Sequence, residues 1–282
     1  MNNDFFPTIK GGKGRCRIVL LIRPDIFESV GLQNQNAKIR DNSVFLDWKT
    51  EYIRHRSSKI FEVANHLLEI QQVKDSYKLG DCWDAYFPWD APNVYDNYDC
   101  PTSFINFLRW SYYRPRDIVT LLTLLKSTTE DKSKSSFSLD DFETRNFQRA
   151  YSNYLLGEVK DQLSFYYEEE DYNSFLKFFE FLRGKDKFSY EQYLSAYEDV
   201  KKHLKSVDKD TPKFMATANE FLQFLFDLNV LCYIERTEGG KSHIHWCFKD
   251  RSYANISPKV KTNREYQVFY GLAKSLNLGR QY

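Results

Sequence analysis

The sequence contains no apolar stretch long enough to cross a bilayer. Its longest, residues 18–22 (IVLLI), falls far short of the ~20 residues that a membrane-spanning helix needs. Residues 1–14 hold no long apolar run either, so no secretory signal is expected. Paired cysteines are missing. Cys16, Cys82, Cys100, Cys232 and Cys247 are odd in number and none stands in a C-x-x-C spacing, which points to reduced thiols in a cytoplasmic protein rather than a disulfide framework. Charge of one sign is not in excess: 40 Lys and Arg against 39 Asp and Glu give +1, too little for a bulk attraction to nucleic acid or membrane. There is no G-x-S-x-G, no H-E-x-x-H and no Cys–His pair in a recognisable context, so nothing supports hydrolase or protease chemistry. Aromatic rings are abundant instead. The 23 Phe and 20 Tyr predict cores built on rings, and 282 residues suffice for one large domain or two to three small ones.

Residues 17–22 (RIVLLI), ended by Arg23-Pro24-Asp25, read as a buried strand of a parallel sheet. A second short run, Val44-Phe45-Leu46, follows a polar crossover at residues 33–38. Two strands cannot cover both faces of such a sheet. They would leave apolar edges, so the chain is expected to self-associate, bind a partner or refold locally there. Residues 48–73 turn helical, and residues 74–101 read as loops with short helical pieces. Thr102 is placed to cap a helix to Tyr112, Pro115 opens another to Lys126, and residues 127–136 form the clearest linker. A helix over 138–167 begins at Ser138, with Asp141 three residues on. Then come helices over 171–182, 189–204 and 211–228, a hairpin of residues 230–237 and 242–248 around Gly239-Gly240, and a last helix over 265–276. Three helices followed by a two-stranded wing is the order of a winged helix.

Two features imitate functional motifs. Gly11-Gly12-Lys13-Gly14 precedes a strand and has no Ser or Thr after the lysine, whereas a phosphate-binding loop follows a strand and ends in Gly-Lys-Ser/Thr. It reads as a flexible turn. His243, His245 and Cys247 alternate along one predicted strand, but no matching pair at zinc-like spacing accompanies them, so they read as polar and small residues on one wing face and no metal is expected.

Three segments carry more information together. They are Ile22-Arg23-Pro24-Asp25-Ile26-Phe27, then Lys38-Ile39-Arg40-Asp41-Asn42-Ser43-Val44-Phe45-Leu46-Asp47-Trp48, then Tyr113-Arg114-Pro115-Arg116-Asp117-Ile118-Val119 at a helix start. In this order they resemble uncharacterised bacterial P-loop ATPases allied to the STAND and KAP classes of the AAA+ superfamily. The resemblance covers nearly the whole chain. It implies a mainly α protein with a small α/β remnant: 1–47 as the remnant of the ATPase core with its sensor strand, 48–127 as a helical lid, 128–168 as linker and connecting helix, and 169–282 as a winged-helix domain. It puts Arg23 at a sensor-one-like position and Arg114 or Arg116 at the lid's sensor-two-like position. The alternative for each is structural: Arg23 pairing with Asp25 or Asp41, and Arg114 and Arg116 pairing with Asp117 or other lid carboxylates.

The Walker A loop and Walker B acid that this family needs are absent from the chain. ATP and Mg²⁺ are therefore implied by the family alone, with no cofactor and no catalytic residue expected for this chain by itself, because phosphoryl transfer depends on that loop, its lysine and the metal. A natural remnant, one half of a split ATPase and an incomplete gene all fit. The expected role is a regulatory or protein-interaction module, partnered by a Walker-bearing core or by itself. The alternatives are an ATPase subunit active only with a supplied core and a nucleic-acid-binding winged helix. The third helix has only Lys213 against Glu220 and Asp227, a poor recognition helix, whereas residues from 229 on hold nine basic against four acidic side chains. Arg236, Lys241, Lys249 and Arg251 are therefore the candidate phosphate contacts.

Overall fold

The structure, a computed structural model, describes residues 18–22, 26–27, 30–31, 33–72, 78–93, 99–131, 133–237, 240, 242–252 and 255–279. The chain divides into two units, one of Met1–Phe45 with Ser252–Ile256 and one of Leu46–Arg251 with Ser257–Tyr282. In the first, helix α1 (Gln35–Asn42) takes up the polar crossover. The two runs expected as buried strands are not strands. Residues 18–22 and 44–46 lie outside the sheet, with Val19 81%, Leu20 74%, Leu21 91% and Val44 84% exposed. Among the described residues neither run pairs with a strand, and a strand of a parallel sheet needs such pairing and cover on both faces.

The second unit is mainly helical, and rings fill its core. After a 3₁₀ turn at Tyr52–Ser57, α2 (Lys59–Glu69) starts where Ser58 Oγ accepts from the Phe61 amide at 3.3 Å. Its buried Ile60, Phe61 and Ala64 face α3 (Asp81–Tyr86), α4 (Ser103–Trp110) and α5 (Pro115–Thr128). Trp83 sits among Phe87, Phe104 and Phe107 at centroid distances of 4.6, 4.8 and 4.8 Å, and its indole donates to Ser103 Oγ at 2.9 Å. Thr102 stands at the N-cap of α4, but its side chain makes no capping hydrogen bond; its amide and hydroxyl both donate to Asp90. The linker region ends where the Phe137 amide donates to Tyr86 O. The helix expected over 138–167 is two, α6 (Leu139–Glu143) with a Ser138/Asp141 capping box and α7 (Arg145–Ser164), because Thr144 turns extended and caps the second.

Then follow α8 (Glu169–Phe181), β1 (Lys187–Ser189), α9 (Tyr190–Ser206), α10 (Ala218–Asp227), β2 (Leu231–Arg236), β3 (Ser242–His245), α11 (Cys247–Asp250) and β4 (Glu265–Val268). The predicted third helix is shorter than expected, because Thr217 caps α10 after a separate 3₁₀ turn at Lys213–Met215. The sheet is antiparallel with order β1-β4-β2-β3. Phe178, Tyr193, Phe221 and Tyr266 join the helices to it. The last expected helix, 265–276, is a correction: residues 265–268 are strand β4, and only a 3₁₀ turn, Tyr270–Leu272, follows. Tyr266 and Val268 are buried between β1 and β2, so pairing on both sides overrides helical spacing. Gly271 then lies so close to α7 that an added Cβ would stand 2.4 Å from Leu155 Cδ1.

Among the described residues no helix is long and apolar enough to cross a membrane. None of the four described cysteines forms a disulfide.

Candidate functional site

Arg23 lies outside the described residues, whereas Arg114 and Arg116 lie at the start of α5. Tyr113 takes a left-handed φ of 56°, and Arg114 then caps α5 in an extended conformation. The turn sets Asp117, fully buried, beneath the guanidinium of Arg114. Asp117 accepts from Arg114 Nη2 at 2.6 Å and Nε at 2.9 Å, from the Tyr112 amide at 2.9 Å and from the Tyr154 hydroxyl at 3.2 Å. Glu158 on α7 takes Arg114 Nη1 at 3.2 Å and also meets the guanidinium of Arg116. Burial alone would lower the pKa of Arg114, but its hydrogen bonds to Asp117 and the charge of that carboxylate outweigh this and raise it. Two guanidiniums and two carboxylates close on one another, a structural arrangement. Arg116, with a side chain 61% exposed, is the more open of the two.

Among the described residues, the cations expected to contact phosphate do not form a patch. Arg236 is paired with Glu265 at 2.8 Å. Lys241 lies outside the described residues. Arg251 is half-buried and its Nη2 reaches Asp227 O at 3.5 Å. Lys261 and Arg264, at 3.0 and 3.2 Å, both hold Glu235, whose carboxyl the Lys261 hydrogen bonds keep below the usual range. His245 stacks on Tyr233 and lies 3.3 Å from both Glu235 and Asp250. An open groove of 690 Å³ over β2, β4 and the start of α9 is lined by Glu191, Glu235 and Glu265 against Arg236 and Arg264, a balance unfavourable to phosphate.

Lys249, a candidate phosphate contact by sequence, is half-buried among rings. Its Nζ stands 4.8 Å from the Tyr113 centroid, 5.6 Å from Tyr52 and 6.0 Å from Phe248. Burial pushes its amine down to about 8. Lys49 donates to the carbonyls of Lys249 and Arg251 at 3.2 and 2.5 Å, which fixes the main chain of this turn. The sequence hides the box because Tyr52 and Tyr113 come from distant segments. His243 and His245 alternate along β3 and share a face, but Cys247 does not join them: β3 ends at His245 and Cys247 is buried at the start of α11. Among the described residues no three His, Cys, Asp or Glu side chains gather as a metal site.

Comparison with known protein families, with curated proteins and with solved structures finds no match to this chain.

Proposed function

We propose that the chain is a non-catalytic lid and winged-helix module that docks on a Walker-bearing P-loop ATPase core. The carrying observation is the run at residues 18–22. Val19, Leu20 and Leu21 are heavily exposed in succession, so both sides of the run offer apolar surface. A sequence of this kind suits a strand inserted in a parallel sheet, where helices cover both faces. The proposed occupant is therefore the sheet edge of an ATPase core, engaged by strand addition. The α8-β1-α9-α10 succession, followed by antiparallel strands β2 and β4, supports the winged-helix reading. Nucleotide and Mg²⁺ would be held by the partner, with Arg116 more open to it than Arg114. The paired wing cations favour docking over nucleic-acid binding.

The test uses tagged chain expressed in its native host, with eluted complexes assayed for binding of a fluorescent ATP analogue. Wild type is expected to retain a Walker-bearing protein and to bind the analogue. The double variant Val19→Lys/Leu21→Lys is expected to lose both, while its far-UV spectrum is unchanged. ATP turnover by the isolated chain, failure of wild type to retain such a protein, or retention by the double variant would overturn the reading.

A further inference from the structure

We propose that the turn between α7 and α8 is an interaction surface for a basic, arginine-bearing segment of a partner protein, held by the rings of Phe165 and Tyr166 and by the carboxylates that flank them. The inference is independent of residues 18–22. Phe165 is 70% exposed and Tyr166 50%, and the two rings meet edge to face at a centroid distance of 4.7 Å. Neither joins the core, whereas the next residue, Tyr167, lies against Phe214 and Phe224 at 5.0 and 5.8 Å. A single exposed apolar side chain is ordinary, but two adjacent aromatic rings left in water within a polar rim mark a binding surface. The backbone beneath them is tied down. The amides of Tyr166 and Tyr167 both donate to Leu163 O at 2.9 Å, and Leu163 is buried. The rings are therefore held out from a set position, and a partner need not order the turn first.

The charge around the rings selects the occupant. Residues 160–171 hold five acids, Asp161, Glu168, Glu169, Glu170 and Asp171, against Lys160 alone. Glu168 and Asp171 form the capping box of α8, and Glu169 lies 3.6 Å from Lys160. Among the described residues Asp161 and Glu170 make no ion pair. A helix start accounts for acids at the head of α8, but not for the rings beside them. Such a surface repels the phosphates of nucleic acid. A second copy meeting it about a twofold axis would set acid against acid. An arginine side chain suits both components, because its guanidinium plane stacks on an aromatic face while its donors reach carboxylates. A lysine ammonium gives up the planar stacking.

Fluorescence anisotropy on the full chain tests this with short labelled peptides in which glycine alternates with arginine, with lysine or with glutamate. At physiological salt the arginine peptide is expected to bind best, the lysine peptide more weakly and the glutamate peptide not at all. Phe165→Ser/Tyr166→Ser should weaken the arginine peptide about tenfold, the loss of two exposed cation–ring contacts. Asp161→Asn/Glu170→Gln should weaken it as well and reduce its salt dependence. All four side chains are exposed, so the far-UV spectra and thermal midpoints of both variants should match wild type. Failure of wild type to bind the arginine peptide, equal binding of the lysine peptide, or unchanged binding by either variant would overturn the proposal.

Discussion

Asp117 is the residue on which the turn into α5 depends. Its carboxylate is fully buried and satisfied by Arg114, the Tyr112 amide and Tyr154. Removing its charge leaves Arg114 without its main partner at a site mostly closed to water. Asp117→Asn is therefore expected to cost about 3–5 kcal/mol in urea unfolding, the usual penalty for breaking a buried pair. Arg116→Ala, at an exposed pair, should cost under about 1 kcal/mol. Equal losses would mean that the two arginines share one structural role. At this scale the sequence was informative in part. The adjacency Arg114-Pro115-Arg116-Asp117 already suggests a cap with its own carboxylate, but Glu158 is out of local reach and becomes visible only once α7 packs on α5. Lys249 was hidden more completely, because a lysine in a basic stretch reads as solvated until its rings are placed around it.

Capping signals made most helices legible. Ser138 with Asp141 and Ser189 with Gln192 form the reciprocal boxes that begin α6 and α9. Legibility failed at residues 265–276, where Tyr266, Phe269, Leu272 and Leu276 keep a helical spacing that strand pairing overrules. Gly271 is the sign that was present but ambiguous: its missing side chain lets the 3₁₀ turn lie against Leu155. Gly271→Ala should lose about 1–3 kcal/mol by overpacking, read as a fall in thermal midpoint. A neutral result would show that α7 yields to admit the methyl group.

For the whole molecule, one continuous core runs from Ile60 to Leu278, and the strongly exposed apolar residues at 19–21 lie outside it. The apolar run was legible as a strand sequence. Its exposure was not, because burial depends on neighbours that a single stretch of sequence does not display. Charge pairing is also a property of the assembled chain: Arg236, Lys261 and Arg264 look like a basic cluster in sequence and meet Glu265 and Glu235 in space. A fluorescence anisotropy titration with duplex DNA at physiological salt is therefore expected to show only weak binding, and sub-micromolar affinity would refute the neutral reading of the β2–β4 region.

The sheet order has a consequence for how the protein is made. β4, near residue 267, lies between β1, near 187, and β2, so β1 has no strand partner until some eighty further residues have followed it, whereas β2 pairs with β3 in a local hairpin. Helices α2 to α7 close largely local contacts and can form early. The sheet is a high-contact-order step, late during synthesis and slower than helix formation. Until it closes, the emerging chain carries the apolar start of β2, Leu231-Cys232-Tyr233, with one edge still unpaired.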